Sequence, residues 1–318
     1  MSLVTGSDLP PSSLVRRLAL ASVVANVLIV ITGGAVRLTG SGLGCPTWPR
    51  CTDESYVNTT EMGVHGLIEF GNRVLSVLVG VIAVAALVAV FSSRSRARGL
   101  AWPATAVVAL VGVQGVVGGW SVRVNLNPWV VAAHFTMSMV LIAVAYTLWA
   151  RADIRPGPAW PALPRELRWL VTGIAATTLA VLAVGTVVTG SGPHAGDPDS
   201  PRIQIDSGML AQLHADLVFL LIGMSVAAWL ALRAVGAPRP VVRAATVLLG
   251  AELAQGLIGF VQYFTALPVL LVGIHMAGAC AVWLAALNLF HTTRTRPTTP
   301  VTPATEKVPA GVGEPGVT

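Results

Sequence analysis

Residues 128–150 read PWVVAAHFTMSMVLIAVAYTLWA, twenty-three residues without a charge and with one histidine, His134. A hydrocarbon core about 30 Å thick needs about 20 apolar residues at about 1.5 Å each, so this stretch is long enough to cross a bilayer as a helix. Seven more runs have the same character: Leu18–Leu38, Gly66–Val90, Ala101–Trp120, Trp169–Thr189, Met209–Leu232, Val241–Phe264 and Leu267–Phe290. The composition agrees. Of 318 residues 54% are hydrophobic and 11% charged, with mean hydropathy +0.74, about half the charge of an ordinary soluble domain. A soluble enzyme is excluded. The first run follows Arg16-Arg17 and so has the look of a signal peptide, even a twin-arginine one, but no small-residue cleavage site ends it and seven runs follow. It is read as a retained helix.

Twenty Lys and Arg against fourteen Asp and Glu give a formal charge of +6. No aromatic-interleaved basic patch directs this charge at nucleic acid; it reflects topology, because cytoplasmic connections are enriched in Lys and Arg. With the N-terminus inside, fifteen basic residues fall on cytoplasmic segments: Arg16, Arg17, Arg94, Arg96, Arg98, Arg151, Arg155, Arg165, Arg168, Arg233, Arg239, Arg243, Arg294, Arg296 and Lys307. Arg37, Arg50, Arg73, Arg123 and Arg202 are left outside. The sequence therefore predicts a multi-pass protein of the cell membrane with both termini cytoplasmic.

The two halves repeat. Gln114-Gly115-Val116-Val117-Gly118 recurs as Gln255-Gly256-Leu257-Ile258-Gly259, and His134 recurs as His275, both at an offset of 141 residues. Thr39-Gly40-Ser41-Gly42 after the first run matches Thr189-Gly190-Ser191-Gly192 after the fifth. Four spans per half leave the copies in the same orientation, which predicts a pseudo-twofold axis along the membrane normal. The expected fold is an all-α integral membrane protein whose eight transmembrane helices form two pseudo-twofold-related four-helix bundles. Its parts are an N-terminal segment 1–17, a half at 18–150, a linker 151–168, a second half at 169–290, and a Pro- and Thr-rich cytoplasmic tail 291–318 that lacks apolar periodicity and is expected to be disordered.

An ionisable group in hydrocarbon is costly unless paired or facing a cavity, so each is a functional candidate. His134, His214 and His275 fall in one layer, roughly 8–12 Å below the outer surface, with Glu69 and Asn72 of the second run; His65 lies one turn above Glu69 on the same helix face. A lone histidine of this kind is commonly a neutral imidazole bonded between helices. Three in one layer suit haem, whose iron takes neutral imidazole as axial ligand and can be clamped between facing helices. His214 and His275 are 61 residues apart; the matching separation from His134, 62, lands on Asn72. The second half thus has a complete bis-histidine pair, and the first has one histidine, an asparagine and a nearby carboxylate. A six-coordinate site suits electron transfer and an incomplete one suits chemistry, so the C-terminal half is assigned to a bound cofactor and the N-terminal half to the reaction.

Cys45 and Cys51 bracket a short loop that reads as closed by a disulfide on the oxidising face, with a redox or delivery role as the alternative. The second outer loop has no such pair. Cys280 reads as a packing residue, and His194 and His291 as solvent-facing.

As a set these residues resemble the haem A synthase family. The resemblance covers all eight spans and rests on the turn Thr39–Cys45, Trp48-Pro49-Arg50-Cys51, Ile68-Glu69-Phe70-Gly71-Asn72-Arg73, and His134, His214 and His275. It implies an oxidoreductase that converts the C8 methyl of haem O to the formyl group of haem A by two hydroxylations and loss of water. It further implies His214 and His275 as haem b ligands, His134 on the substrate side with Asn72, His65 and Arg73 nearby, Glu69 as the essential catalytic carboxylate that handles protons or steadies a cationic intermediate, and Cys45 and Cys51 as the first-loop pair. The chain departs from many members at Asn72, where they have histidine, and in lacking a second cysteine pair. Implied partners are haem O, molecular oxygen or water as oxygen source, an electron donor or acceptor, the lipid bilayer, and contacts with a haem O synthase and terminal oxidase assembly. Two other classes use similar features: a bis-histidine diheme electron-transfer cytochrome, and a secondary transporter with repeats and midplane polar groups.

Overall fold

The computed structural model describes residues 12–93, 99–153, 162–194 and 196–294. Eight helices follow the eight apolar runs: α1 Ser13–Leu38, α2 Gly63–Ser92, α3 Ala101–Arg123, α4 Pro128–Ala152, α5 Arg165–Ser191, α6 Ser207–Ala234, α7 Arg239–Phe264 and α8 Val269–Thr292. All eight are long and apolar enough to cross a membrane. Most extend a few residues beyond the apolar runs into polar ends, where capping chemistry takes over. Ser12 Oγ accepts the Val15 N–H at 3.3 Å, Asn127 Oδ1 that of Trp129 at 3.1 Å and Asp206 Oδ1 that of Met209 at 2.7 Å, each satisfying a donor the helix cannot.

α1–α4 pack as one ring of four and α5–α8 as another; the rings meet through α1 against α8 and α4 against both α5 and α8. In a bilayer, helices associate through close packing and a few polar contacts, and both are present at the seam. Met139 and Ile142 of α4 are fully buried. Trp283 Nε1 donates to the Met139 carbonyl at 2.8 Å, and Tyr146 Oη to Asn288 Oδ1 at 3.2 Å. Outward faces carry large apolar side chains in rows, as in Val74, Val77, Val81, Val84 and Val88 of α2, a surface that needs lipid around it.

The 141-residue offset extends to an unusual turn. Between α3 and α4, Asn125 and Leu126 have φ of 51° and 54°; between α7 and α8, Ala266 and Leu267 have φ of 60° and 58°. In both turns the second residue's N–H reaches back five residues at 2.8 Å, Leu126 to Ser121 and Leu267 to Gln262. Left-handed backbone costs an L-residue about 1–2 kcal/mol, so two consecutive such residues in both copies mark one shared turn geometry. Arg94, Arg96, Arg98, Arg155, Arg296 and Lys307, and the tail from 295, lie outside the described residues.

Candidate functional site

The helix starts set the layer. His134 is six residues after Pro128, His214 seven after Ser207 and His275 six after Val269, all roughly 9–11 Å from the end of the molecule that carries the Cys45–Cys51 loop. Each imidazole lies against a glycine of the preceding helix. A Cβ on Gly118 would sit 3.2 Å from His134 Cε1, one on Gly185 3.1 Å from His214 Cε1, and one on Gly259 3.3 Å from His275 Cε1. Glycine here lets the backbone come up flat against the ring. The recurring Gln-Gly-x-x-Gly motif is thereby explained, since its second glycine seats the histidine and its glutamine fixes the histidine's backbone. Gln114 Nε2 donates to the His134 carbonyl at 3.2 Å and Gln255 Nε2 to the His275 carbonyl at 2.6 Å.

On α2 the polar residues face the loop. Glu69, 6% exposed, accepts Arg73 Nη2 at 2.6 Å and Arg73 Nε at 3.1 Å on Oε1, and the Cys45 N–H at 2.6 Å on Oε2. Arg73 then donates to the carbonyls of Cys45 and Arg50 at 2.9 and 3.0 Å. Glu69 and Arg73 form one clamp on the ring closed by the Cys45–Cys51 disulfide. His65, the expected neighbour of Glu69, pairs instead through Nδ1 with Ser41 Oγ at 2.9 Å. Because α2 is continuous from Gly63, His65 stays roughly 10 Å above Asn72. Asn72 Oδ1 accepts Thr32 Oγ1 at 2.8 Å, and its amide nitrogen is 3.9 Å from a Cβ placed on Gly33.

The rest of the loop is pinned by close approach. Gly44 lies against the backbone of His65 and Gly66, and the Trp48 indole lies on Gly119 of α3, with no room for a Cβ at either glycine. Arg123 donates to the Trp48 carbonyl at 2.8 Å through Nη2. The loop after α5 joins this end through Gly42 N–H to the Gly196 carbonyl at 3.0 Å and Arg37 Nε to the His194 carbonyl at 2.7 Å.

Two expectations are corrected. His194 is not simply solvent-facing: it is half-buried, and its Nε2 lies 3.0 Å from the Leu267 carbonyl, because the loop after α5 folds over the α7–α8 turn. His291 is also half-buried, paired with Thr147 Oγ1 at 3.2 Å and packed on Tyr146 and Phe290, because the last turn of α8 lies against α4. Cys280, 1% exposed, does pack in the core. Sequence reading passed over Glu252, a 3% exposed carboxylate in the middle of α7, although an acidic residue inside an apolar run is itself the signal.

The donor set fits haem. Each imidazole of His134, His214 and His275 lies flat on a helix glycine, and Nδ1 of His134 and of His275 is buried without a hydrogen-bond partner. A neutral imidazole is the usual axial ligand of haem iron, whose equatorial ligands the porphyrin brings, so single histidines on separate helices suit such a group.

A model of the COX15-CtaA family, cytochrome oxidase assembly protein, matches residues 16–196, more than half of the chain. The chain belongs to this family. The match runs from α1 to the loop after α5 and takes in the COX15-CtaA chain's clamp, disulfide and His134. Among curated relatives, a heme A synthase of Caulobacter sp. (strain K31) is 28% identical over 86% of this chain and 95% of its own length, an alignment that must enter both halves. One from Hyphomonas neptunium is 26% identical over 64% of this chain and 67% of its own, and one from Alkalihalophilus pseudofirmus 28% over 54% and 60%.

Proposed function

We propose that this chain is a haem A synthase, a membrane oxidoreductase that converts haem O to haem A. The observation that carries this reading is the polar layer in a member of the COX15-CtaA family: two glycine-backed histidines in the second half, and in the first a single glycine-backed histidine, with Asn72 at the position that the repeat matches to His214. His214 and His275 hold haem b, which when bound supplies an electron relay to the substrate side. His134 receives haem O in the N-terminal half (18–150). Asn72, engaged with Thr32, is a poor ligand for iron and leaves that side incomplete. Glu69 fixes the disulfide loop above the substrate.

The charge bias supports the orientation, with the loop outside and both termini in the cytoplasm, and the matching turns and reciprocal ring contacts support a pseudo-twofold relation between the halves. Molecular oxygen or water supplies oxygen, and an electron donor or acceptor completes the reaction; contact with a haem O synthase and with terminal oxidase assembly follows from where substrate and product must go. Pyridine-haem analysis of membranes from a host that makes haem O tests the reading: haem A should appear only when this chain is present. One observation favours a second reading, a bis-histidine diheme electron-transfer cytochrome: both oxygens of Glu69 are already engaged. Haem extracted from the purified protein separates the two, since the cytochrome leaves its haems unchanged.

A further inference from the structure

α7 carries a carboxylate that neither haem site uses. Glu252 lies thirteen residues from Arg239 and twelve from Phe264, so roughly 18–20 Å from either end of its helix. It is 3% exposed and pairs with Ser225 of α6, itself 2% exposed. Ser225 Oγ donates to Oε1 at 2.8 Å, while Oε2 is buried with no hydrogen-bond partner. Gln255, one turn nearer the loop end and on the same side of α7, is the residue that holds the His275 carbonyl. Glu252 therefore sits beneath the histidine pair, on the helix that positions one of its members.

A carboxylate ionised in so apolar a place needs a cation, and α6, α7 and α8 have no Lys or Arg at its depth. α6 has no Lys or Arg before Arg233, α7 none between Arg243 and Phe264, and α8 none at all. The titratable groups on the two helices packed against α7 are His214, Asp216 and Arg233 on α6, and His275, Cys280 and His291 on α8; α7 itself adds Arg239, Arg243 and Tyr263. Asp216 is exposed and bonded to Gln212 at 2.7 Å, and Arg233 and His291 lie near the far ends of their helices. The cation missing from the protein is one that an oxidised bis-histidine haem provides, since iron(III) within a porphyrin dianion leaves one positive charge on the core.

We propose that Glu252 is a redox-linked proton site of the C-terminal half, ionised while the haem between His214 and His275 is oxidised and protonated once that haem is reduced. The inference rests on the reading that this pair holds haem. One electron from a one-electron reductant converts iron(III) to iron(II) and removes the core's positive charge. One proton from water joins Oε2 and removes the carboxylate's negative charge, and neither histidine bond to iron is broken. The function served is electrical: the membrane interior carries no net charge in either state.

The test is a redox titration of the purified full-length holoprotein with dithionite and ferricyanide, read at the low-spin haem band across about pH 5–9. The midpoint potential should fall as pH rises, approaching 59 mV per pH unit, the tenfold equivalent for one electron, where one proton accompanies it. Glu252→Gln should keep the low-spin spectrum and flatten this slope, whereas Asp216→Asn, exposed on α6, should keep it. Ser225→Ala, which leaves the carboxylate but removes its donor, should displace the pH range of the slope, and serves if Glu252→Gln does not fold. A flat wild-type profile, an undiminished slope in Glu252→Gln, or a Ser225→Ala profile superimposable on wild type overturns the proposal. Loss is shared with the ligand assignment only if the wild-type protein shows no bis-histidine spectrum; a normal spectrum with an unaffected slope overturns the proton site alone.

Discussion

Glu69→Gln separates a carboxylate that acts on substrate from one that acts through the loop. Oε1 takes two bonds from Arg73 and Oε2 one from the Cys45 N–H, and the side chain is 8% exposed. An amide has one acceptor oxygen. If it faces Arg73, the NH2 meets the Cys45 N–H; if it faces Cys45, the NH2 meets the guanidinium. Either way a donor opposes a donor, and Arg73 loses its counter-charge. A hydrogen bond to a charged group contributes about 1.5–3 kcal/mol, and breaking a buried pair from one side costs about 3–5 kcal/mol. Taking about 3 kcal/mol as the local loss, the ratio of loosened to clamped loop rises on the order of 100-fold, at 1.4 kcal/mol per factor of ten. The assay is the rate at which an impermeant phosphine reduces the Cys45–Cys51 bond, read by maleimide gel shift, alongside the haem b spectrum and haem A yield. The expected result is reduction faster by about that factor, an unchanged haem b spectrum, since His214 and His275 lie on other helices, and loss of haem A. Loss of haem A with reduction at the wild-type rate would falsify the clamp argument and put Glu69 in contact with the reacting group.

Further outcomes follow from the same geometry. His214→Ala and His275→Ala should each abolish the low-spin bis-histidine spectrum, and a variant that retained it would remove that residue from the ligand set. In wild-type cells a membrane-impermeant maleimide should label Cys45 and Cys51 only after reduction; labelling without reductant would mean free thiols. Gly119→Ala places a methyl within the Trp48 indole, so the indole must leave α3 and the disulfide should become easier to reduce while helix content stays constant, and an unchanged reduction rate counts against the contact. Asn72→His should convert the substrate-bound protein toward six-coordinate low-spin, because it puts an imidazole at the position that the repeat matches to His214; an unaltered resonance Raman spectrum would show that this position does not face the substrate iron.

The helices and the layer of histidines were legible because they depend on one-dimensional quantities: run length, hydropathy and residue spacing. Each apolar run became a helix, and the equal depth of His134, His214 and His275 survived revision of the helix starts by a few residues. Contacts between elements were less legible. His65 is four residues from Glu69, the right spacing for a pair on one helix face, yet the turn after α1 carries Ser41 to His65 and the loop carries Cys45 to Glu69. His194 and His291 looked peripheral because they lie beyond the apolar runs, but loops and helix ends in this molecule are packed. Glycines gave partial warning. The repeat of Gly118 and Gly259 was visible, and only the structure shows that the imidazoles lie on them.

Of the differences between the two halves, the one between α2 and α6 bears most directly on the specialisation. The α3–α4 and α7–α8 pairs share the glutamine, the glycine, the histidine and the left-handed turn. A constraint on ring placement, retained in both copies, belongs to holding a haem, which both halves do in the proposed function. The α2 and α6 helices diverge instead. At the 142-residue offset that pairs Asn72 with His214, Glu69 corresponds to Ala211 and Arg73 to Ala215. The clamp is thus absent from α6 together with the cysteine ring it grips, and the histidine is absent from α2. In the proposed function each half gives up what the other needs: α6 would supply a second strong ligand through His214, while α2 offers Asn72 at the matching position and uses its charged pair to fix the disulfide loop. Substituting the second ligand on α2 while leaving the clamp intact should therefore push the N-terminal half toward the closed, electron-carrying character of the C-terminal half, which makes α2 rather than the shared helix pairs the element that decides which half does the chemistry.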